Sequence, residues 1–303
     1  MPAVSPADRS TGRGLALETL FEAPAPESSA AGTSSGAIRG GDLPADLAAR
    51  YGTRLAIPLR PDGPTVIANF VTSLDGVVTL GDDTSGGGEI SGFFEPDRFV
   101  MGLLRAMADA IVVGAGTVRA TPTHVWTPGR VNPASAGAYA AWRSALGIDQ
   151  AQPTTVVVTG SGNLDLRHPA LTDPDVPIVL VTTAAGAAVL HAQRPAAHLR
   201  LLATGTGPTV TSDALIDVLR SLGVRLALCE GGPHLLGALV AANRLDELFL
   251  TEAPQLFGRD ERSARLSFVA GFAAAAGDGH WAELRSVRRA ADHLFLRYRL
   301  RPR

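Results

Sequence analysis

Two strand–glycine–helix junctions are the first places where this sequence has the means for chemistry. Ile111-Val-Val-Gly-Ala-Gly-Thr117 runs an apolar strand into Gly114, Gly116 and a hydroxyl residue, Thr117. Glycine lets the backbone approach a ligand, and free N–H groups at a helix start favour phosphate. The run is not GxGxxG, because Arg119 stands where the third glycine would be. A tight turn explains the junction as well as a nucleotide phosphate site does. Leu226-Ala-Leu-Cys-Glu-Gly-Gly-Pro-His234 repeats the arrangement, with Pro233 suited to the first turn of a helix. Gly231 and Gly232 can there offer N–H groups to a pyrophosphate. Glu230 ends the strand, where ligands sit in open α/β sheets, and is the candidate acid; capping the next helix is its rival role. Cys229 is expected in the core. In Asn69-Phe-Val-Thr-Ser-Leu-Asp-Gly76 a strand delivers Ser73 and Asp75 to a turn. Asp-Gly is itself good turn chemistry, so Asp75 has a structural role to weigh against a catalytic one.

Composition removes other chemistries. Of the 303 residues, 27 are basic and 29 acidic, for a net charge of −2, which argues against nucleic-acid binding by bulk electrostatics. Every basic residue is Arg, so Schiff-base catalysis, lysine-held pyridoxal phosphate and a Walker lysine are excluded. A single Cys rules out an intrachain disulfide and a cysteine-clustered zinc site, and the His spacing suggests no metal. No apolar run reaches the roughly 18 residues of a membrane span, and no signal pattern opens the chain. A cytoplasmic protein is expected.

Alternating elements must position these residues. Residues 1–42, rich in Ala, Ser, Gly and Pro, are expected to form a disordered tail. Residues 43–303 are expected to form one domain. Its strands are Thr65–Val71, Ala110–Val113, Thr155–Thr159, Pro177–Thr183, Leu199–Ala203, Val224–Cys229 and Leu245–Thr251. Helices are expected over Leu43–Tyr51, from Pro96 with Phe99, Leu103, Leu104 and Met107 on one face, after a cap at Thr211 or Ser212, and from Pro233 through Val240. Gly81–Gly92 is expected to be a loop. Thr121–Ala151 has the look of an insertion, with a helix at Ala138–Leu146. Leu284–Arg288 and His293–Leu300 end the chain as an antiparallel hairpin. The fold class is therefore α/β: a mostly parallel sheet, helices on both faces and an antiparallel C-terminal hairpin.

In order, SLDG, ISG…DR (Ile90–Gly92, Asp97–Arg98), ADAIVVGAGTVRA (Ala108–Ala120), EGGP and LDELFLTEAPQLFG (Leu245–Gly258) resemble the pyrimidine reductase family. This is the reductase half of the bifunctional riboflavin-biosynthesis deaminase/reductase, with a dihydrofolate reductase-like fold. The resemblance spans residues 43–303, and the deaminase's HxE and PCxxC signature is not found. It implies NADPH-dependent reduction of 5-amino-6-(5-phosphoribosylamino)uracil, with hydride going to C1′ of the opened ribosylamine. It also implies cofactor contacts at Gly114, Gly116, Thr117, Gly231 and Gly232, with Thr159 and Ser161 toward the 2′-phosphate. Asn69, Ser73, Asp75, Ser91 and Glu230 fall on the substrate side. Two positions depart from the family pattern: Asn69 replaces a Lys, and Thr121 stands where an acid is usual. Another substrate of the same fold, such as a pterin or dihydrofolate, and a non-catalytic nucleotide-binding homologue are the alternatives. The alternating strand His293–Leu300 is expected at a sheet edge that needs cover. A homodimer is the expected cover, with the N-terminal segment or the 121–151 insertion folding over the edge as the alternative.

Overall fold

Apolar, β-branched segments bounded by Gly, Pro and Asx turns make the strands of this protein. The computed structural model describes residues 15–24, 37–81, 86–261 and 263–302. The chain begins with β1 (Glu18–Glu22), β2 (Ile38–Asp42), α1 (Ala45–Tyr51), β3 (Arg54–Pro58) and β4 (Thr65–Ser73). Next come α2 (Gly87–Ser91), α3 (Glu95–Met107), β5 (Ala110–Gly114), α4 (Ala115–Ala120), α5 (Pro128–Val131) and α6 (Ala136–Ala145). The middle of the chain supplies β6 (Thr154–Thr159), α7 (Pro169–Thr172), β7 (Ile178–Thr182), α8 (Ala184–Ala192) and β8 (Leu199–Ala203). It ends with α9 (Ser212–Ser221), β9 (Leu226–Cys229), α10 (Pro233–Ala241), β10 (Glu247–Ala253), β11 (Ala282–Ala290) and β12 (His293–Leu300).

The main sheet has the order β1-β11-β12-β10-β4-β9-β5-β6-β7-β8. From β10 to β8 every pairing is parallel, and β12, β11 and β1 continue it antiparallel. Both faces are covered. One core packs Phe99, Leu103, Leu104 and Met107 of α3 and Trp142 of α6 against Ile67, Ile111 and Leu228. The other packs Leu215 and Leu219 of α9 and Leu236 and Leu239 of α10 against Val66, Val112 and Ala227. This is the expected α/β architecture. The Thr211 hydroxyl accepts from Ala214 N to cap α9, and Gly223, at φ 73°, closes it. Among the described residues, no helix is long and apolar enough to cross a membrane.

Three expectations need correction. The 1–42 segment is not wholly a tail: β1 pairs with β11 and β2 with β3, while residues 1–14 and 25–36 lie outside the described residues. The glycines that made this segment look unstructured are used in β2. A Cβ on Gly40, at φ 93°, would sit 2.2 Å from Leu55 O, so only glycine fits there. Second, β12 is internal, between β11 and β10, and β1 takes the place beyond β11. The N-terminal segment is thus the cover for that end of the sheet. Glu22 and Glu18 reach Arg288 and Arg289 at 2.7 and 2.6 Å. Third, the 81–92 loop contains the short helix α2, closed by Gly92 at φ 64°. The 121–151 stretch packs against α3, where the Tyr139 hydroxyl donates to Phe99 O and Arg143 to Ala106 O and Ala108 O.

Candidate functional site

Parallel strands bring their C-terminal ends to one side of the sheet, and the two glycine junctions meet there. β5 and β9 are neighbours, and Glu230 N donates to Val112 O. A Cβ built on Gly231 would lie 3.2 Å from Gly114 N, and one on Gly232 would lie 3.2 Å from Thr117 Oγ1. Gly114 and Gly116 differ from these. Gly114 has φ −83°, a conformation open to any residue, and a Cβ there meets nothing within 4 Å. A Cβ on Gly116 meets only the far end of Arg119, at 3.9 Å. Neither backbone strain nor crowding within the protein requires glycine at these positions. The backbone at both glycines therefore borders open space at the end of β5.

Glu230 has a partner that the sequence did not disclose. Arg105, on α3, donates from Nε to Glu230 Oε1 at 2.9 Å and from a terminal nitrogen to Oε2 at 2.6 Å. The same guanidinium donates to Thr127 O at 3.1 Å and meets His124 Nε2 at 2.8 Å. Arginine has only donors, so Nε2 must accept and His124 carries its proton on Nδ1. Burial, then Arg105, pushes His124 down to about 3, so it is neutral at physiological pH. Glu230 is therefore neither a helix cap nor an unengaged acid. It is the counter-ion of a buried arginine.

The other expected residues fall into two groups. Asp75 accepts from the Ser73 hydroxyl at 2.5 Å and from Phe257 N and Gly258 N. These bonds, Ser73 first, hold its carboxyl down at about 2. Asp75 thus anchors the turn and is ionised at neutral pH, the structural role weighed for it. Ser73 is buried, and its Oγ also accepts from Val77 N. Thr159 is buried and caps its own turn by accepting from Gly162 N at 3.1 Å. Ser161 is exposed on that turn, and Arg119 reaches it from α4, donating to Asn163 O at 2.9 Å. Asn69 is buried midway along β4 and lines a small internal cavity with Tyr51, Phe249 and Arg297. Thr121 donates to Thr117 O. Ser91 is buried beside Asp97. Burial pushes the Cys229 thiol up to about 12, which leaves it inert.

Comparison with known proteins bears on this arrangement. Residues 64–268 match the RibD C-terminal domain. The chain belongs to the RibD C-terminal domain family. Like this family member, the 2,5-diamino-6-ribosylamino-4(3H)-pyrimidinone 5′-phosphate reductase of Archaeoglobus fulgidus carries related sequence. The two are 28% identical over 197 residues, 64% of this chain and 82% of that protein. A pyrimidine reductase-like protein from Corynebacterium diphtheriae shares the fold of this RibD-type domain, with a TM-score of 0.59 and 22% identity over 79% of this chain and 93% of that one. The deaminase/5-amino-6-(5-phosphoribosylamino)uracil reductase of Thermotoga maritima aligns with a TM-score of 0.56 and 15% identity. That alignment covers 79% of this chain and 57% of the longer protein.

Proposed function

We propose that this RibD-family chain is an NADPH-dependent reductase of riboflavin biosynthesis, acting on a phosphoribosylaminopyrimidine. The observation that carries the reading is the open space beside Gly114 and Gly116, at a junction that touches the second glycine pair. Gly114, Gly116, Thr117, Gly231 and Gly232 would hold the pyrophosphate, with Arg119 and Ser161 toward the 2′-phosphate. When bound, the cofactor supplies hydride to C1′ of the substrate. The chain's own residues bind and orient both partners, and Arg105 neutralises Glu230 beside them. The relative from Archaeoglobus fulgidus is named for this chemistry. NADPH oxidation followed at 340 nm with 5-amino-6-(5-phosphoribosylamino)uracil and its 2,5-diamino pyrimidinone counterpart is the test. Turnover with neither rejects the reading.

A second reading, the same fold acting on another substrate such as a pterin, is favoured by two positions. Asn69 is buried in β4 and Thr121 is tied to Thr117, so neither offers the charge of the family pattern. Dihydrofolate and pterins in the same assay separate the two readings. We also infer a cytoplasmic enzyme that self-associates. β1 leaves Leu20 and Phe21 exposed at the end of the sheet, and a second copy fits that apolar edge. A monomeric mass by light scattering at micromolar concentration rejects the dimer.

A further inference from the structure

Arg105 holds Glu230 from the last turn of α3, so the Glu230 carboxylate is placed only as well as that helix is. A helix leaves its last carbonyls without partners of its own. Two side chains from outside α3 take them up. Arg143 of α6 donates to Ala106 O and Ala108 O at 3.1 and 2.6 Å. Arg39 of β2 donates to Met107 O at 3.2 Å and, as a fork, to the two carboxylate oxygens of Asp109 at 2.9 and 3.0 Å. A cation there also suits the negative end of the helix dipole. Arg39 and Asp109 are 13% and 18% exposed, so water replaces this charge-assisted pair poorly.

Asp109 joins several elements. Its Oδ2 also accepts from Arg225 N and Leu226 N, each at 2.8 Å, where β9 begins. Its N donates to Leu226 O, and its O accepts from Thr154 N at the start of β6. β9 is 4 residues long, and Glu230 follows it directly. The Arg39–Asp109 pair therefore reaches Glu230 by two routes, through α3 to Arg105 and along β9.

The other end of α3 is gripped by the same N-terminal segment. Arg50, in the last turn of α1, donates to Glu95 Oε2 at 2.5 Å, and its guanidinium carbon lies 3.9 Å from the centre of the Phe99 ring. Asn132 donates to Glu95 Oε1 at 2.6 Å. Between the two arginines, Leu47, Leu55 and Ile57 are buried in the core that holds Leu103 and Met107. Arg39 and Arg50 both precede residue 64, where the match to the RibD C-terminal domain begins.

We propose that residues 37–63 are a clamp on α3, and that Arg39 is a positioning residue for the reaction, setting the Arg105–Glu230 pair from the opposite end of β5 and β9. Arg39 acts through Asp109 and Arg105 and touches no ligand. Arg50 is the second arm of the clamp, fixing the first turn. The effect on turnover rests on the reductase reading, whereas the effect on Arg105 does not.

The test reads the Arg105 side chain in the full chain. In ¹⁵N NMR the Arg105 Nε–H, assigned by its loss in Arg105→Lys, is expected to exchange slowly with solvent because Glu230 holds it. Arg39→Gln is expected to speed that exchange at least about tenfold. It is also expected to lower kcat with the phosphoribosylaminopyrimidine about 10- to 100-fold, as small displacements from remote changes do. NADPH affinity is expected to stay within about threefold, because the pairing of β9 with β4 and β5 holds the glycine backbones. Arg39→Lys keeps the charge without the fork and is expected to recover part of both losses. Leu215→Ala loosens the other core, under α9, and is expected to leave the Arg105 signal and kcat near their wild-type values. An exchange rate that Arg39→Gln leaves unchanged overturns the clamp. So does an equal rise in Leu215→Ala, which would mark lost stability rather than lost positioning. Faster exchange with an unchanged kcat overturns the role in the reaction. A wild type that binds NADPH but never oxidises it with this substrate overturns the reductase reading, and the Arg105 signal still decides the clamp. Should Arg39→Gln fail to fold, Arg39→Lys is set against the wild type by the same two readouts, and an unmoved Arg105 signal rejects the proposal.

Discussion

The Arg105 guanidinium holds the Glu230 carboxylate at 2.6 Å, with the two side chains 1% and 7% exposed. The bond ties the last turn of α3 to the loop that follows β9. Through Thr127 O and His124, the same guanidinium also fixes the segment after α4. One ion pair therefore sets the position of three walls of the site.

Breaking this pair is expected to damage folding before chemistry. Glu230→Gln leaves a buried guanidinium without its counter-charge, which typically costs about 3–5 kcal/mol. Urea unfolding of Glu230→Gln and Arg105→Gln is expected to show losses of that order for each. The double variant is expected to lose much less than the sum, because each single change strands the other's charge. Additive losses would show that the pair does not act as a unit.

Gly114→Val and Gly116→Val are expected to separate ligand binding from stability. The space beside both glycines is open, and Gly114's φ tolerates a side chain. Thermal unfolding should change little for Gly114→Val. Gly116→Val carries the modest helix-propensity difference of Val and Gly in α4. NADPH affinity by calorimetry is expected to weaken at least about tenfold for either. Unchanged affinity would leave both glycines without a function.

Arg119 is expected to distinguish NADPH from NADH. It is exposed, next to Gly116, and its guanidinium reaches the Asn163 carbonyl beside Ser161. Arg119→Ala removes a charge-assisted contact, so NADPH affinity is expected to fall about ten- to hundredfold while NADH affinity stays put. An equal fall for both cofactors places Arg119 away from the 2′-phosphate.

Asp97 is expected to make the protein less stable as pH rises. Its folded value, about 6, lies above the ordinary 3.8. The folded state therefore binds the extra proton between these values, and stability falls with pH across that window. The cost above pH 6 is on the order of 3 kcal/mol. Asp97→Asn should raise the melting temperature at pH 8 and lose that advantage near pH 4. An advantage that does not change with pH would show that the carboxyl is not held protonated.

Removing residues 1–24 is expected to expose β11 and leave Arg288, 5% exposed, without Glu22. Light scattering should then show association or aggregation beyond that of the full chain, as an uncovered strand edge invites pairing. A truncated protein of unchanged mass and melting temperature would mean that β1 covers nothing of consequence.

The parallel sheet, the glycine junctions and the hairpin were legible because their signals are local. Apolar β-branched runs ending in glycine mark strands wherever they occur, and the period of two in His293–Leu300 marks β12. Thr211 and Gly223 mark the ends of α9 by backbone chemistry that a short stretch of sequence carries alone. The segment Glu18–Glu22 carried no such signal. Its strand exists because β11 offers it a ladder, and pairing partners 264 or more residues apart, such as Glu22 and Ser286, are beyond any local pattern.

The same division runs through the site. The sequence by itself determined which chemistries are excluded, which loops carry the paired glycines, and that Glu230 stands at a strand end. It left both Glu230 and Asp75 with a structural and a catalytic role to choose between. Tertiary structure decided these points, because proton affinity and ion pairing depend on what lies within a few ångströms rather than on neighbours in the chain. Folding brings Arg105 against Glu230 across 125 positions and sets Phe257 N and Gly258 N on Asp75. It also buries Asp97 in the first turn of α3, 4% exposed. Spacing in the sequence could place Asp97 on a helix. Only tertiary packing strips water from its carboxyl and raises it to about 6.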